Sequence, residues 1–175
     1  MGSTGFRGHF SILRSATLAA VISLVAAINL TAAISSAAEF RAGRSAFNLG
    51  EYARAIAIWM PLARNGDPKS QASLGYIYLM GLGVNRDPAE AARWYGEAAR
   101  QGQPDALYYV GILSLDGRGV ARDYSWAYVA CSLALQKGIA RGLSCQDMAA
   151  SVMTDDEIKR ANRRVSEFMA REYGD

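Results

Sequence analysis

The feature that most constrains this chain of 175 residues is an internal repeat with a period of 36 residues. Residues 70–102 and 106–138 align at that offset without a gap. Identical pairs include Gly75/Gly111, Gly81/Gly117, Gly83/Gly119, Val84/Val120, Arg86/Arg122, Asp87/Asp123, Ala91/Ala127, Ala98/Ala134 and Gly102/Gly138. A period of about 20–50 residues indicates units that stack on one another, because one such unit cannot bury its own apolar face.

Each unit is predicted to form two antiparallel helices. In the first unit, helix A covers residues 67–80, where Asp67 supplies an N-cap and Pro68 occupies the first helical position. Helix B starts at Asp87, and Glu90 follows at capping-box spacing. The glycines between the helices fit a chain reversal that needs positive φ.

Gly75 and Gly111 lie inside helix A of the two units, although glycine costs a helix about 1 kcal/mol relative to alanine. Because the two glycines are in register, we expect a compensating close approach of helix B. The alanines of that helix, Ala91, Ala92 and Ala98, are the small partners that the sequence offers.

The pattern over residues 70–102 resembles the Sel-one-like repeats (SLR), a subclass of tetratricopeptide-like helical hairpins. The matching elements are a Leu-Gly, a Tyr, a Gly-x-Gly-Val loop, an Asp, a Trp-Tyr and a closing Gly. The second unit departs from it, with Val110 before Gly111, Ser114 in place of the Tyr, and Ala130-Cys131 in place of Trp-Tyr. The resemblance implies an all-α, right-handed α-solenoid, and it implies a scaffold, since members of the family commonly hold other proteins.

The predicted organisation places a solenoid after residue 38. Residues 39–66 form a degenerate first repeat without the long glycine loop, 67–102 and 103–138 form full repeats, and 139–175 form a half repeat plus a C-terminal capping helix. Thr154 and Glu157 form a capping box at the start of that last helix, which carries one apolar stripe. A helix of this kind closes the open end of a solenoid.

Residues 1–38 have the pattern of an export signal. Two arginines are the only charged residues before Glu39, and an apolar stretch covers residues 16–34. Ser36 and Ala38 fit the positions read by a signal peptidase. An uncleaved membrane anchor is the alternative, because the stretch approaches the roughly 20 residues that a spanning helix needs. Both readings place the folded part in the periplasm or outside the cell.

The remaining chain is close to electrical neutrality and has no histidine. Without residues 1–38 it keeps 17 of its 19 basic residues and all 16 acidic ones, so it offers no strong field to a polyanion and we exclude nucleic acid as a partner. His9 is the only histidine of the chain and lies in the predicted signal. Most triads and zinc sites need imidazole, so we predict no enzyme activity, no metal and no cofactor.

Cys131 and Cys145 are the only cysteines, and each lies seven residues from Gly138, near the centre of the predicted turn between two helices. Equal distances from a turn place two residues at the same height on antiparallel neighbours. We therefore predict a disulfide between them, the alternative being two small buried apolar side chains. A few exported relatives of this repeat type carry a cysteine pair in every repeat; this chain has one.

The predicted function is that of a non-catalytic adaptor or regulator of the bacterial cell envelope, which binds a protein on the concave face of the solenoid. The predicted partner-binding residues are those of helix A outside its core stripe: Tyr76, Met80, Tyr108, Tyr109 and Ile112. The alternative is a protein that binds or hydrolyses cell-wall peptidoglycan or a penicillin-type ligand, a role to which cysteine-rich relatives have been linked. The Ser-x-x-Lys motif of acylating serine enzymes is absent from the sequence.

Overall fold

The computed structural model describes residues 34–173, which form eight α-helices and no strand. The helices are α1 (34–48), α2 (Tyr52–Arg64), α3 (Pro68–Met80), α4 (Pro88–Arg100), α5 (Pro104–Asp116), α6 (Tyr124–Gln136), α7 (Gly142–Ala150) and α8 (Asp155–Tyr173). Helices α3 and α4 pack as one hairpin and α5 and α6 as the next; α2 packs on α3, α4 on α5 and α6 on α7, and α8 packs back on α6. The predicted all-α repeat fold is confirmed.

Most of the predicted export signal, residues 1–33, lies outside the described residues. Ser36 and Ala38, at the predicted cleavage site, fall within α1. Within residues 34–173, none of the helices combines the length and the apolar character needed to span a bilayer.

Polar caps start the helices at the positions that the sequence indicates. Asp67, Asp87 and Asp123 accept backbone N–H groups at 2.7, 3.0 and 2.8 Å. Thr154 and Glu157 form the reciprocal capping box of α8. Glu90 differs from the expectation, because its carboxylate binds Arg93 at 2.6 Å instead of closing a second box.

The two glycines of the Gly-x-Gly loop have different roles: one ends a helix and the other contacts the preceding hairpin. Gly81 ends α3 with a left-handed φ of 72°, and the Arg86 Nε that follows donates to the Leu79 carbonyl oxygen at 3.0 Å. Gly83 touches the preceding hairpin, since a Cβ added there would lie 2.8 Å from the Tyr52 Cβ. The second glycine of the loop is therefore needed for packing between repeats as well as for the turn.

The helix A glycines make room for a large side chain of helix B. A Cβ added to Gly75 would lie 2.8 Å from Cγ of Tyr95, and one added to Gly111 would overlap the Cys131 sulfur. The expected close approach is present, but at Gly75 the partner is an aromatic ring and not the alanines. Tyr95 occupies the position in its repeat that Cys131 occupies in the next repeat, 36 residues later.

The first hairpin repeats this arrangement with different residues. A Cβ on Gly43 in α1 would overlap the indole of Trp59 in α2. The Trp59 Nε1 donates to the Phe40 carbonyl oxygen at 3.2 Å, so the indole is held across the glycine. All three hairpins thus place a helix B side chain over a helix A glycine.

Cys131 of α6 and Cys145 of α7 form a disulfide, with their Cα atoms 5.8 Å apart. The expected pairing is therefore present and fixes α7 against the last full repeat. Both side chains are buried, so the bond lies in the core and not on the surface.

The last helix covers α6. Ala161 and Val165 of α8 are buried, and the Tyr128 hydroxyl of α6 donates to Oδ1 of Asn162 at 3.1 Å. Leu143 and Met148 of α7 stay exposed. The capping helix therefore closes one side of the final hairpin and leaves apolar side chains of α7 in contact with solvent.

A candidate binding groove

An open groove of about 610 Å³ runs along the side of the molecule formed by α1, α3 and α5. Its lining combines aromatic rings with charged and amide side chains. The lining residues are Phe40, Arg44, Phe47, Asn48, Trp59, Lys69, Ala72, Ser73, Tyr76, Tyr95, Gln103, Asp105 and Tyr109. Three separate hairpins contribute to this one surface.

Four rings on helices α1, α3 and α5 follow one another, and the first three of them line the groove; we call Phe47, Tyr76, Tyr109 and Tyr108 the aromatic row. The ring centroids are 6.1 Å apart from Phe47 to Tyr76, 6.2 Å from Tyr76 to Tyr109 and 5.3 Å from Tyr109 to Tyr108. Neighbouring rings meet edge to face, the geometry that the aromatic quadrupole favours.

Helix B side chains form the floor beneath the row. Trp59 packs against Phe40 and Phe47 with centroid distances of 5.8 Å in both cases. Tyr95 stacks on Tyr109 at 4.8 Å with an interplanar angle of 18°. Because both floor side chains cross the helix A glycines to reach the groove, the packing of the hairpins positions the groove lining.

The Tyr95 hydroxyl is buried at this floor and has no hydrogen-bond partner within residues 34–173. Burial raises the pKa of Tyr95 well above its usual value. Burial also raises the pKa of Tyr109, although the Arg141 charge opposes that shift. Both phenols are therefore neutral hydrogen-bonding groups at ordinary pH.

The charges along the groove are unevenly distributed. Arg44 and Lys69 line its α1–α3 end, and neither forms an ion pair within the described residues. Asp105 is the single acidic side chain of the lining. At the far end, the Arg141 guanidinium lies 4.7 Å from the ring centroid of Tyr108, a cation–π contact.

The structure brings together part of the predicted site. Tyr76 and Tyr109 line the groove, and Tyr108 joins through its ring contact with Tyr109. Met80 is exposed and Ile112 is half-buried, and neither belongs to the lining.

Sequence reasoning missed the contribution of the first hairpin. Phe40, Arg44 and Phe47 share one face of α1 at helical spacing, and this spacing could have revealed them. The repeat pattern does not indicate them, because the first repeat lacks the glycine loop by which the other units are recognised. Tyr95 is the Tyr of the Trp-Tyr pair in the family pattern, and that pattern does not indicate that it lines the groove.

The fold and the groove define an α-helical repeat protein with an aromatic groove along one side. The family model of the Sel1 repeat matches residues 68–103 and 104–128. A Sel1 repeat protein from Oxalobacter formigenes is 31% identical, with a TM-score of 0.59 over 64% of this chain and 87% of that one. The chain belongs to the Sel1 repeat family.

A second solved structure has the same architecture. It is c5321, a protective antigen of uropathogenic Escherichia coli strains with an SLR fold; it is 26% identical, with a TM-score of 0.71 over 77% of this chain. The chain spans only 30% of the length of that protein. No curated protein sequence gives a significant match.

Proposed function

We propose that this protein is a non-catalytic adaptor of the bacterial cell envelope, which holds a segment of a partner protein in the groove along α1, α3 and α5. The observation that carries the proposal is the aromatic row, because rings that are partly exposed in a groove are the residues on which protein interfaces most depend. Sel1 repeat folds are typically scaffolds, which supports the same class of activity.

The disulfide supports a location outside the cytoplasm. Stable disulfides form in oxidising compartments such as the periplasm and are rare in the reducing cytosol. Together with the signal-like residues 1–38, this bond favours the periplasm or the exterior as the place where the partner is met.

Site-specific photocrosslinking in the native host tests the proposal. A photoreactive phenylalanine analogue replaces Tyr76 in the groove, and in a matched control it replaces Ser166 on the exposed side of α8. The expected result is a covalent adduct with one protein from position 76 and none from position 166, identified by mass spectrometry. Equal adducts from both positions, or no protein adduct from position 76, would contradict the proposal.

The same experiment tests the alternative of a cell-wall ligand. Aromatic rings also pack on sugar faces, so an adduct at position 76 that carried peptidoglycan fragments and no protein would favour that alternative. Digestion of the adduct with a protease and with a muramidase, in parallel, separates the two outcomes.

A further inference from the structure

We propose that the groove binds an acidic segment of its partner in an extended conformation. In this arrangement, apolar side chains at every second position lie over the aromatic row, and carboxylates lie at the end formed by α1 and α3. The inference rests on the proposed function, since it specifies the chemistry of the ligand for the same groove.

The spacing of the rings fits an extended chain. The centroids of Phe47, Tyr76 and Tyr109 follow one another at 6.1 and 6.2 Å. An extended chain advances about 6.6 Å over two residues, so alternate side chains meet successive rings.

The Tyr95 hydroxyl gives a second reason for an extended ligand. This hydroxyl is a neutral donor without a partner within residues 34–173, and Tyr95, which is 1% exposed, is one of the residues that line the groove. A buried donor without an acceptor is unfavourable by about 1–3 kcal/mol. An extended segment has carbonyl oxygens free to accept from this hydroxyl, whereas a helix uses its carbonyls internally.

The charged side chains at one end of the groove determine which charge on the ligand is favoured. Arg44 and Lys69 line the groove, and Arg41 lies in the adjoining depression that shares both of them; we call these three the basic end. The Asp67 carboxylate at this end already accepts a backbone N–H of α3 at 2.7 Å. The three basic side chains outnumber the Asp67 carboxylate at this end, and Asp105 is the only acidic residue of the groove lining, so the net charge of the basic end is positive and favours carboxylates.

Selection from a library of random twelve-residue peptides displayed on phage tests this inference with the purified full chain. Three proteins are compared: wild type, Arg44→Glu/Lys69→Glu, and the control Arg160→Glu/Arg163→Glu on the exposed side of α8. Both variants change the net charge by the same amount, and only the first alters the groove.

Wild type and the control are expected to select peptides with Asp or Glu beside apolar residues that alternate with polar ones. The groove variant is expected to select Lys or Arg instead and to bind the wild-type peptides at least tenfold more weakly by fluorescence polarisation. Selection of uncharged or basic peptides by wild type, an apolar period of three to four residues, or the same switch in the control would overturn the inference.

A further variant separates this inference from the proposed function. Tyr76→Ala should weaken the binding of every peptide that the groove selects, whatever its charge. If wild type selects non-acidic peptides that depend on Tyr76, the groove function stands and the acidic ligand is wrong. If the selected peptides bind Tyr76→Ala as well as wild type, both are wrong.

Discussion

Gly75→Ala is the substitution that tests most directly how the hairpins are built. The added Cβ would lie 2.8–2.9 Å from three ring atoms of Tyr95. That ring is buried and stacked on Tyr109, so it has little freedom to withdraw. Overpacking of this kind destabilises a protein by about 1–3 kcal/mol. The higher helix propensity of alanine offsets this loss by up to about 1 kcal/mol.

The expected result for Gly75→Ala is a net loss of about 1 kcal/mol in the free energy of unfolding, or about 3 °C in Tm. Gly96→Ala is the matched control, because Gly96 lies within α4 and an added Cβ there meets nothing within 4 Å. This control should raise stability by about 0.5–1 kcal/mol. Urea denaturation followed by far-UV circular dichroism measures both differences.

Measuring Gly75→Ala in a Tyr95→Ala background tests whether the Tyr95 ring is the cause of the expected destabilisation. Removing the ring lowers stability by about 3–5 kcal/mol, so this background is measured in a stabilising osmolyte. In it, Gly75→Ala should become neutral or stabilising, since the atoms that the methyl group meets are gone. If Gly75→Ala stabilises wild type as Gly96→Ala does, or destabilises the background as much as it does wild type, the packing of Tyr95 over the glycine is not the reason for the glycine.

Three further outcomes are expected. Cys131→Ala/Cys145→Ala should lower the free energy of unfolding by about 3 kcal/mol. A reductant should lower the stability of wild type to the same level and leave that of the variant unchanged. If the stability of wild type did not respond to reductant, this would count against the disulfide. Tyr95→Phe should leave the free energy of unfolding unchanged or raise it by up to about 1 kcal/mol, because the hydroxyl has no partner in residues 34–173. The same substitution should weaken peptide binding about tenfold. A loss of stability with unchanged binding would show a structural role instead. The hydrogen bond from Arg93 lowers the pKa of the Glu90 carboxyl, so the stabilisation by this pair is present above the ordinary glutamate pKa and is lost as the pH falls through the lowered pKa. The stability difference between wild type and Glu90→Gln in urea should therefore shrink as the pH falls into the acidic range. A difference that stays constant from neutral to acidic pH would refute this assignment.

The elements of the fold could be predicted from the sequence because their signals are local. Asp67 and Asp87 cap helices with their own neighbouring backbone, and Gly81 ends α3 by its own φ. The period of 36 residues predicted the stacking of units. The disulfide could also be predicted from the sequence, since two cysteines equidistant from a turn meet when the turn forms as expected.

The candidate site was only partly predictable because its residues meet through packing between hairpins. Tyr76 and Tyr109 were identified by their positions on helix A, but Phe47 was not, since its hairpin lacks the glycine loop. The register also differs there, as Gly43 precedes Gly75 by 32 residues while Trp59 precedes Tyr95 by 36. A single offset therefore cannot align both helices of that hairpin.

The sequence by itself determined the class of the protein: helical hairpins, their caps, their loops and their order, all written in short-range patterns that repeat. The tertiary structure alone decided what fills the space beside each helix A glycine. Tyr95 could have pointed into any neighbouring gap, and only the packing of α4 between α3 and α5 places its ring over Gly75 and against Tyr109. The groove exists because side chains far apart in the chain share one packed surface, and no local pattern encodes that contact.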